Sequence, residues 1–352
     1  MITIPNQECP ISNTWAQRRV VGAQVLAGYR GANRIDLGQA SRASGGVFKS
    51  GVLANVPACA SVTNGDGMVL PPILTYYALV FAISWGSALA FLGPGVFLGT
   101  KKISFVELSP IALLALLAGP SLAGILTAGL VHGRAGLRDI GSRLLRWRVG
   151  VRWYAVALVT APLLTIATLL ALSLTSPVFL PALVTSADKA SLLLGGIVTA
   201  LVVPVFEELG WSGFAVPELR KRYGVLNTGL IVGLIWGVWH FPLFSAVASS
   251  STTIPSALFM AVLLFSWLLA YRVLMVWVYD RTQSLLLMMV MHAPIVFGSL
   301  AIIPQTMSPG RVATFDLAFA ALLWAVVAAV AVANGGHLSR QSVLAHAATD
   351  RA

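Results

Sequence analysis

Beyond residue 70 the chain alternates long apolar blocks with short polar connections. Eight blocks reach the roughly 17 to 25 residues that a bilayer-crossing helix requires: residues 73–92, 109–131, 153–175, 191–208, 228–247, 257–279, 283–303 and 314–333. They predict an all-α polytopic membrane protein of about eight transmembrane helices. The fourth block is the least regular, because it carries Pro204 and ends on two carboxylates. A helix accepts such a break only where the freed backbone groups meet protein or water. Residues 1–70 contain no block long enough to span, and mix Gly, Ala, Asn and Ser with Arg18, Arg19, Arg30, Arg34, Arg42 and Lys49. The short run 20–27 is flanked by charge, which makes a poor signal-peptide core. This segment reads as a disordered cytoplasmic tail, although a translation start at Met68 would look the same. The expected plan is a tail over 1–70, a membrane domain over 71–335 and a short cytoplasmic C-terminal tail over 336–352.

Composition agrees with lipid as the main solvent. Of the 352 residues, 57% are hydrophobic and 10% are charged, against about 25% charged in an ordinary soluble domain. That excludes a soluble enzyme and, equally, a disordered chain. The formal net charge of +11 would suggest nucleic acid in a soluble protein. Here the basic residues fall between apolar blocks, where they set orientation, and no nucleic-acid partner is expected. Arg134, Arg138, Arg143, Arg146, Arg148 and Arg152 face Asp139 alone in the second connection, and Arg220, Lys221 and Arg222 occupy the fourth. Both connections are expected in the cytoplasm, and with eight spans both termini lie inside. Lys101 and Lys102 on the opposite side are the one discordant pair. Cys9 and Cys59 lack metal-ligand spacing and read as inert thiols.

In such a chain the informative residues are ionisable groups at membrane depth, since each is costly unless compensated. Glu207 and Glu208 stand at the end of the fourth block, His240 in the middle of the fifth and His292 at similar depth in the seventh. Taken singly, an intramembrane histidine is often a hydrogen-bonding residue between helices, and a terminal glutamate is often interfacial. Four together in a nearly uncharged core are harder to explain as glue. Two chemistries fit. Adjacent carboxylates that cannot both ionise cheaply make a general base and acid, with one histidine sharing a water and the other donating to an oxyanion. Alternatively Glu207, His240 and His292 bind zinc, which would generate hydroxide. Spacing alone does not choose between them.

FEELGWSGFAVPELRKRYG, then GLIWGVWHFPLF, then MHAPIVFG resemble the three motifs of the CAAX prenyl endopeptidase and bacteriocin-processing (CPBP, or Abi) family of intramembrane glutamic proteases. GPSLAGILTAGL and GLRDIGSRLLRWRVGVRWYAVAL also look like its bacterial members, so the resemblance runs from about residue 73 to 333. It implies that Glu207 activates water, Glu208 supports it, His240 helps hold the water and His292 helps stabilise the oxyanion, with no cofactor required. Trp236 stands where the family usually has an aromatic. Two positions depart from the pattern. The family's arginine four residues after the second Glu is here Ser212, which removes the expected charge partner. The family's asparagine four residues after the third-motif His is here Val296, with Ser299 or a polar group on a nearby helix as the replacement to look for.

The resulting expectation is an endopeptidase of the bacterial inner membrane, cleaving a peptide or membrane-protein substrate in a cavity open to the cytoplasm. One rival is a catalytically inactive member acting as a membrane scaffold or immunity protein. A second is a proton-coupled transporter, against which the absence of any internal repeat counts. Oligomeric state is not legible from the sequence.

Overall fold

A computed structural model describes residues 71–101, 103, 109–247 and 255–339. The expected tail over 1–70, both cysteines, Lys102, Glu107 and everything from residue 340 lie outside the described residues. Among the described residues the regular structure is helical. The long helices are α1 (Pro72–Leu92), α2 (Pro110–Leu144), α3 (Val151–Ser173), α4 (Lys189–Gly210), α5 (Val225–Trp239), α6 (Phe241–Val247, a short continuation), α7 (Ser256–Thr282), α8 (Leu285–Phe297) and α9 (Pro309–Ala333). Among the described residues seven helices are long and apolar enough to cross a membrane, as a polytopic membrane protein requires.

Local chemistry sets the helix ends. Pro72, Pro110 and Pro309 open their helices, where a missing N–H costs nothing. The Asp188 carboxylate caps α4 by accepting from the Ser191 N–H at 3.0 Å, and its hydrogen bonds to Ser191 hold it below the usual carboxylate range. Ser284 caps α8 in the same way through the Leu287 N–H. Gln283, at φ 51°, closes α7 in the left-handed conformation. Gly133, at φ 59° and ψ −149°, interrupts α2 just past the predicted end of the second block, and separates the apolar span from its arginine-rich continuation.

Two expectations about helix extent need correction. The predicted fifth span, 228–247, is not one helix. It is the 15-residue α5 followed by the seven-residue α6, broken at His240. Pro242 explains the break, because it has no N–H to continue the hydrogen-bond ladder from α5. At 1.5 Å per residue α5 reaches about 22 Å, short of a hydrocarbon core of about 30 Å, and α6 continues its path. The second correction concerns the glutamates. They do not end their span, because a π turn at Trp211–Ala215 carries the helix onward to Val216–Arg220. The continuous apolar helix is therefore Lys189–Arg220, and the doublet lies well inside it.

One end of the bundle gathers most of the arginines among the described residues and is tied across helices. Arg143 donates to the Tyr279 hydroxyl at 2.8 Å, Arg220 pairs with Asp280, and the Ser284 hydroxyl donates to the Arg146 carbonyl at 2.6 Å. The Val225 N–H donates to the Ser339 hydroxyl at 2.8 Å. Deeper in, α2 and α4 meet backbone to backbone. A Cβ on Gly210 would stand 2.1 Å from the Pro120 carbonyl oxygen and 2.6 Å from the Tyr76 hydroxyl, so only glycine fits there. The Ser121 hydroxyl donates to the Phe206 carbonyl. The result is a rigid seat directly beside the glutamates. Around it Tyr76, Trp211, Trp236, Trp239 and Tyr271 form the fully buried aromatic core, while Leu98, Ile111, Leu163, Leu194, Leu201 and Val332 face outward.

Candidate active site

Glu207 and Glu208 are consecutive on α4, so their side chains leave the helix about 100° apart and meet different partners. Both are buried, at 2% and 0% exposure. Glu207 turns toward α5, where the Trp236 indole Nε1–H donates to its Oε2 at 2.6 Å. Among the described residues no other side chain hydrogen-bonds to it. Glu208 turns toward α7 and α8. Arg272 Nη1 lies 3.0 Å from each of its oxygens, His292 Nδ1 lies 2.8 Å from Oε1, and the Ser212 hydroxyl donates to Oε2. A carboxylate offers about four lone-pair sites, so Glu208 is saturated by donors and Glu207 is not.

The same contacts fix the histidines. Arginine can only donate, so the Glu208 carboxylate is an ionised acceptor, and His292 therefore presents Nδ1–H to it. His240 Nδ1 lies 2.9 Å from the Trp236 carbonyl oxygen, which can only accept, so that nitrogen also carries its proton. In each neutral ring the lone pair then resides on Nε2. His240 is held by aromatic neighbours. Its ring centroid is 5.3 Å from Trp236 and 4.7 Å from Trp239, both edge to face, and 5.2 Å from the stacked Phe244.

Trp236 is the common neighbour. Besides its bond to Glu207, it lies 5.3 Å from His292, edge to face, and carries the Arg272 guanidinium 4.1 Å over its ring, a cation–π contact. Three stretches of sequence thus bring Glu208 and His292 into direct contact. Glu207 and His240 join them through Trp236.

Arg272 is the residue that sequence reading missed, and it overturns the expectation that Glu208 has no charge partner. The position one helical turn along α4 is indeed Ser212, but the guanidinium arrives from α7 instead. Its signal was present, since Arg272 is a lone cation inside the 257–279 apolar block, the same criterion that selected the glutamates. Asp316, a 6% exposed carboxylate on α9, was equally legible, and makes no hydrogen bond to the site among the described residues. The anticipated replacement for the third-motif asparagine is not Ser299. That hydroxyl is exposed and donates to the Val296 carbonyl at 2.8 Å, within its own helix. The zinc alternative fares no better, because no group of three His, Cys, Asp or Glu among the described residues lies close enough to hold a metal ion, and so Glu207, His240 and His292 do not form one.

Comparison with known proteins supplies the relationship. Residues 189–298, which contain Glu207, Glu208, His240, Arg272 and His292, match the family model described as Type II CAAX prenyl endopeptidase Rce1-like. Over 43 residues the chain is 44% identical to a CAAX prenyl protease 2 of Methanococcus maripaludis, a stretch covering 12% of this chain and 16% of that protein. Over residues 189–298 the chain is thus similar to the Rce1-like CAAX-protease family, and that stretch carries these motifs to one buried site within a set of long apolar helices.

Proposed function

We propose that this protein is an intramembrane endopeptidase in which Glu207 activates the attacking water. The observation that carries the reading is the inequality of the two carboxylates. Glu208 is saturated by Arg272, His292 and Ser212, whereas among the described residues the Glu207 carboxylate accepts one side-chain hydrogen bond, from Trp236. A base needs an oxygen free to take a proton. Glu207 accepts a proton from water, and His240 Nε2 accepts a hydrogen bond from its other O–H and orients it. The hydroxide oxygen adds to the peptide carbonyl carbon. As the C–N bond breaks, the proton on Glu207 passes to the departing amine. His292 serves the oxyanion as an imidazolium, donating Nε2–H to it while Nδ1–H stays on the Glu208 carboxylate. Charge then balances: Arg272 against Glu208, imidazolium against oxyanion.

The substrate is a peptide or membrane-protein segment, and the protein resides in a bacterial cytoplasmic membrane with both termini inside. The clustering of arginines at one end of the bundle supports that orientation. A cavity of about 260 Å³ lined by Gly213, Phe214, Pro217 and Glu218 among others flanks the helix that carries the doublet, which fits approach from the same side.

The test is comparative peptidomics of a strain carrying Glu207→Gln beside wild type, followed by cleavage of the accumulating peptides by the purified protein in liposomes. Wild type should cleave and the variant should not. Cleavage that persists in Glu207→Gln sinks the proposal. One observation favours a second reading, a family member that has lost turnover and acts as a scaffold or immunity protein: Val296 offers no side-chain donor and Ser299 does not replace it. Under that reading wild type cleaves nothing, and the phenotype survives Glu207→Gln.

A further inference from the structure

At the arginine-rich end, a second cavity of about 410 Å³ is lined by Arg152, Trp153, Val156, Trp277, Arg281 and Asn334. Its volume falls within the roughly 300–1,000 Å³ of ligand sites. The chemistry of its wall is one-sided. Arg152 stands in the first turn of α3, its guanidinium 5.3 Å from the Trp153 ring. Arg281, from the last turn of α7, donates through Nη2 to the Asn334 Oδ1 at 3.0 Å. Neither arginine has a carboxylate partner among the described residues. Arg281 Nε and Trp277 Nε1 are buried without a hydrogen-bond partner among the described residues, and a buried donor left unmade is costly. Trp153 and Trp277 pack edge to face with centroids 5.1 Å apart, which supplies an apolar wall beside the charges. Arg220, Lys221 and Arg222 form another basic run at the end of the glutamate helix. Of these, Arg220 is engaged by Asp280 and Lys221 by Glu218 at 2.5 Å.

We infer that this cavity binds a net-anionic phosphate group, and that the group is the head of a membrane lipid. Two guanidiniums match phosphate oxygens in geometry and charge. Tryptophans flank the level where head group meets acyl chain, and basic pockets between helices at the cytoplasmic face suit anionic lipid heads. The binding is separate from the glutamate chemistry, since none of the lining residues touches Glu207 or Glu208.

The experiment titrates the purified full-length protein, in neutral detergent, with dioleoyl-phosphatidylglycerol or dioleoyl-phosphatidylcholine and reads retained lipid by native mass spectrometry. Wild type should retain phosphatidylglycerol about tenfold more tightly, as expected for hydrogen bonds to charged groups. Arg152→Gln with Arg281→Gln should abolish the preference. Arg148→Gln removes an exposed charge nearby, outside the cavity, and should keep it. Should the double variant fail to fold, Arg152→Gln alone carries the test, because Arg152 is exposed. A parallel arm adds inorganic phosphate. Failure of millimolar phosphate to displace the lipid supports the lipid as source, and displacement with thermal stabilisation by phosphate alone overturns that source in favour of a soluble phosphate. Equal retention of both lipids by wild type, or equal loss in Arg148→Gln, overturns the site.

Discussion

Arg272 Nη1 sits 3.0 Å from both carboxylate oxygens of Glu208, joining α7 to α4 across 64 residues of sequence, with both side chains fully buried. Removing one member of a buried ion pair leaves an uncompensated charge and costs about 3–5 kcal/mol. Arg272→Gln should therefore lower unfolding stability by that order in a detergent or bicelle denaturation assay. Ser212→Arg should also destabilise, since it places a second guanidinium at a 1% exposed position. Combined with Arg272→Gln it restores a charge one helical turn from Glu208. The double variant should be more stable than the two single losses sum to, by about 1 kcal/mol or more. Additive losses would mean that the two positions do not share one role.

Trp236→Phe keeps a ring under Arg272 but deletes the donor to Glu207. Activity should fall by about one to two orders of magnitude, the worth of a hydrogen bond to a charged group, with little loss of stability. Trp236→Ala should add a cavity penalty of about 3–5 kcal/mol. Equal effects of the two substitutions on turnover and on unfolding would assign Trp236 to packing alone.

The two nitrogens of His292 separate by substitution. Asparagine places an amide near the Nδ1 position and can still donate to Glu208, but has nothing where Nε2 stands. His292→Asn should unfold near the wild-type midpoint while losing about 10²–10³ in rate, the usual cost of an oxyanion donor. His292→Phe should lose both stability and rate. A stable and fully active His292→Asn would remove Nε2 from the chemistry.

Much of this arrangement was readable in the residues. The apolar blocks located the spans because lipid demands long uncharged helices. The glutamate doublet and the two histidines stood out because charge is rare there. What stayed hidden was relational. Ser212 looked like a missing partner because sequence displays neighbours along one helix, not a cation delivered by another. The helix past Glu208 was truncated because two adjacent carboxylates mark the end of an apolar block when only the sequence is read. The surrounding packing, with Pro120 against Gly210 and Tyr76 beside Trp211 at 5.9 Å, lets the chain continue.

Gly210→Ala tests that packing. Its Cβ would fall 2.1 Å from a backbone oxygen of α2, which cannot rotate away, so overpacking of about 1–3 kcal/mol or more is expected together with loss of activity. Gly195→Ala, on the same helix with nothing within 4 Å, should be neutral or mildly stabilising, by up to about 1 kcal/mol. Thermal unfolding of both in the same detergent checks the contrast.

The five-residue π turn at Trp211–Ala215 holds one residue more than an α-helix would need at that place. Deleting one residue there would let the turn revert to α geometry and keep Arg220 on the side that meets Asp280, whereas inserting one more would rotate everything downstream by about 100°. Chain length through WSGFA is thus forgiving in one direction only: a single deletion should keep the Arg220–Asp280 pair, and a single insertion should lose it.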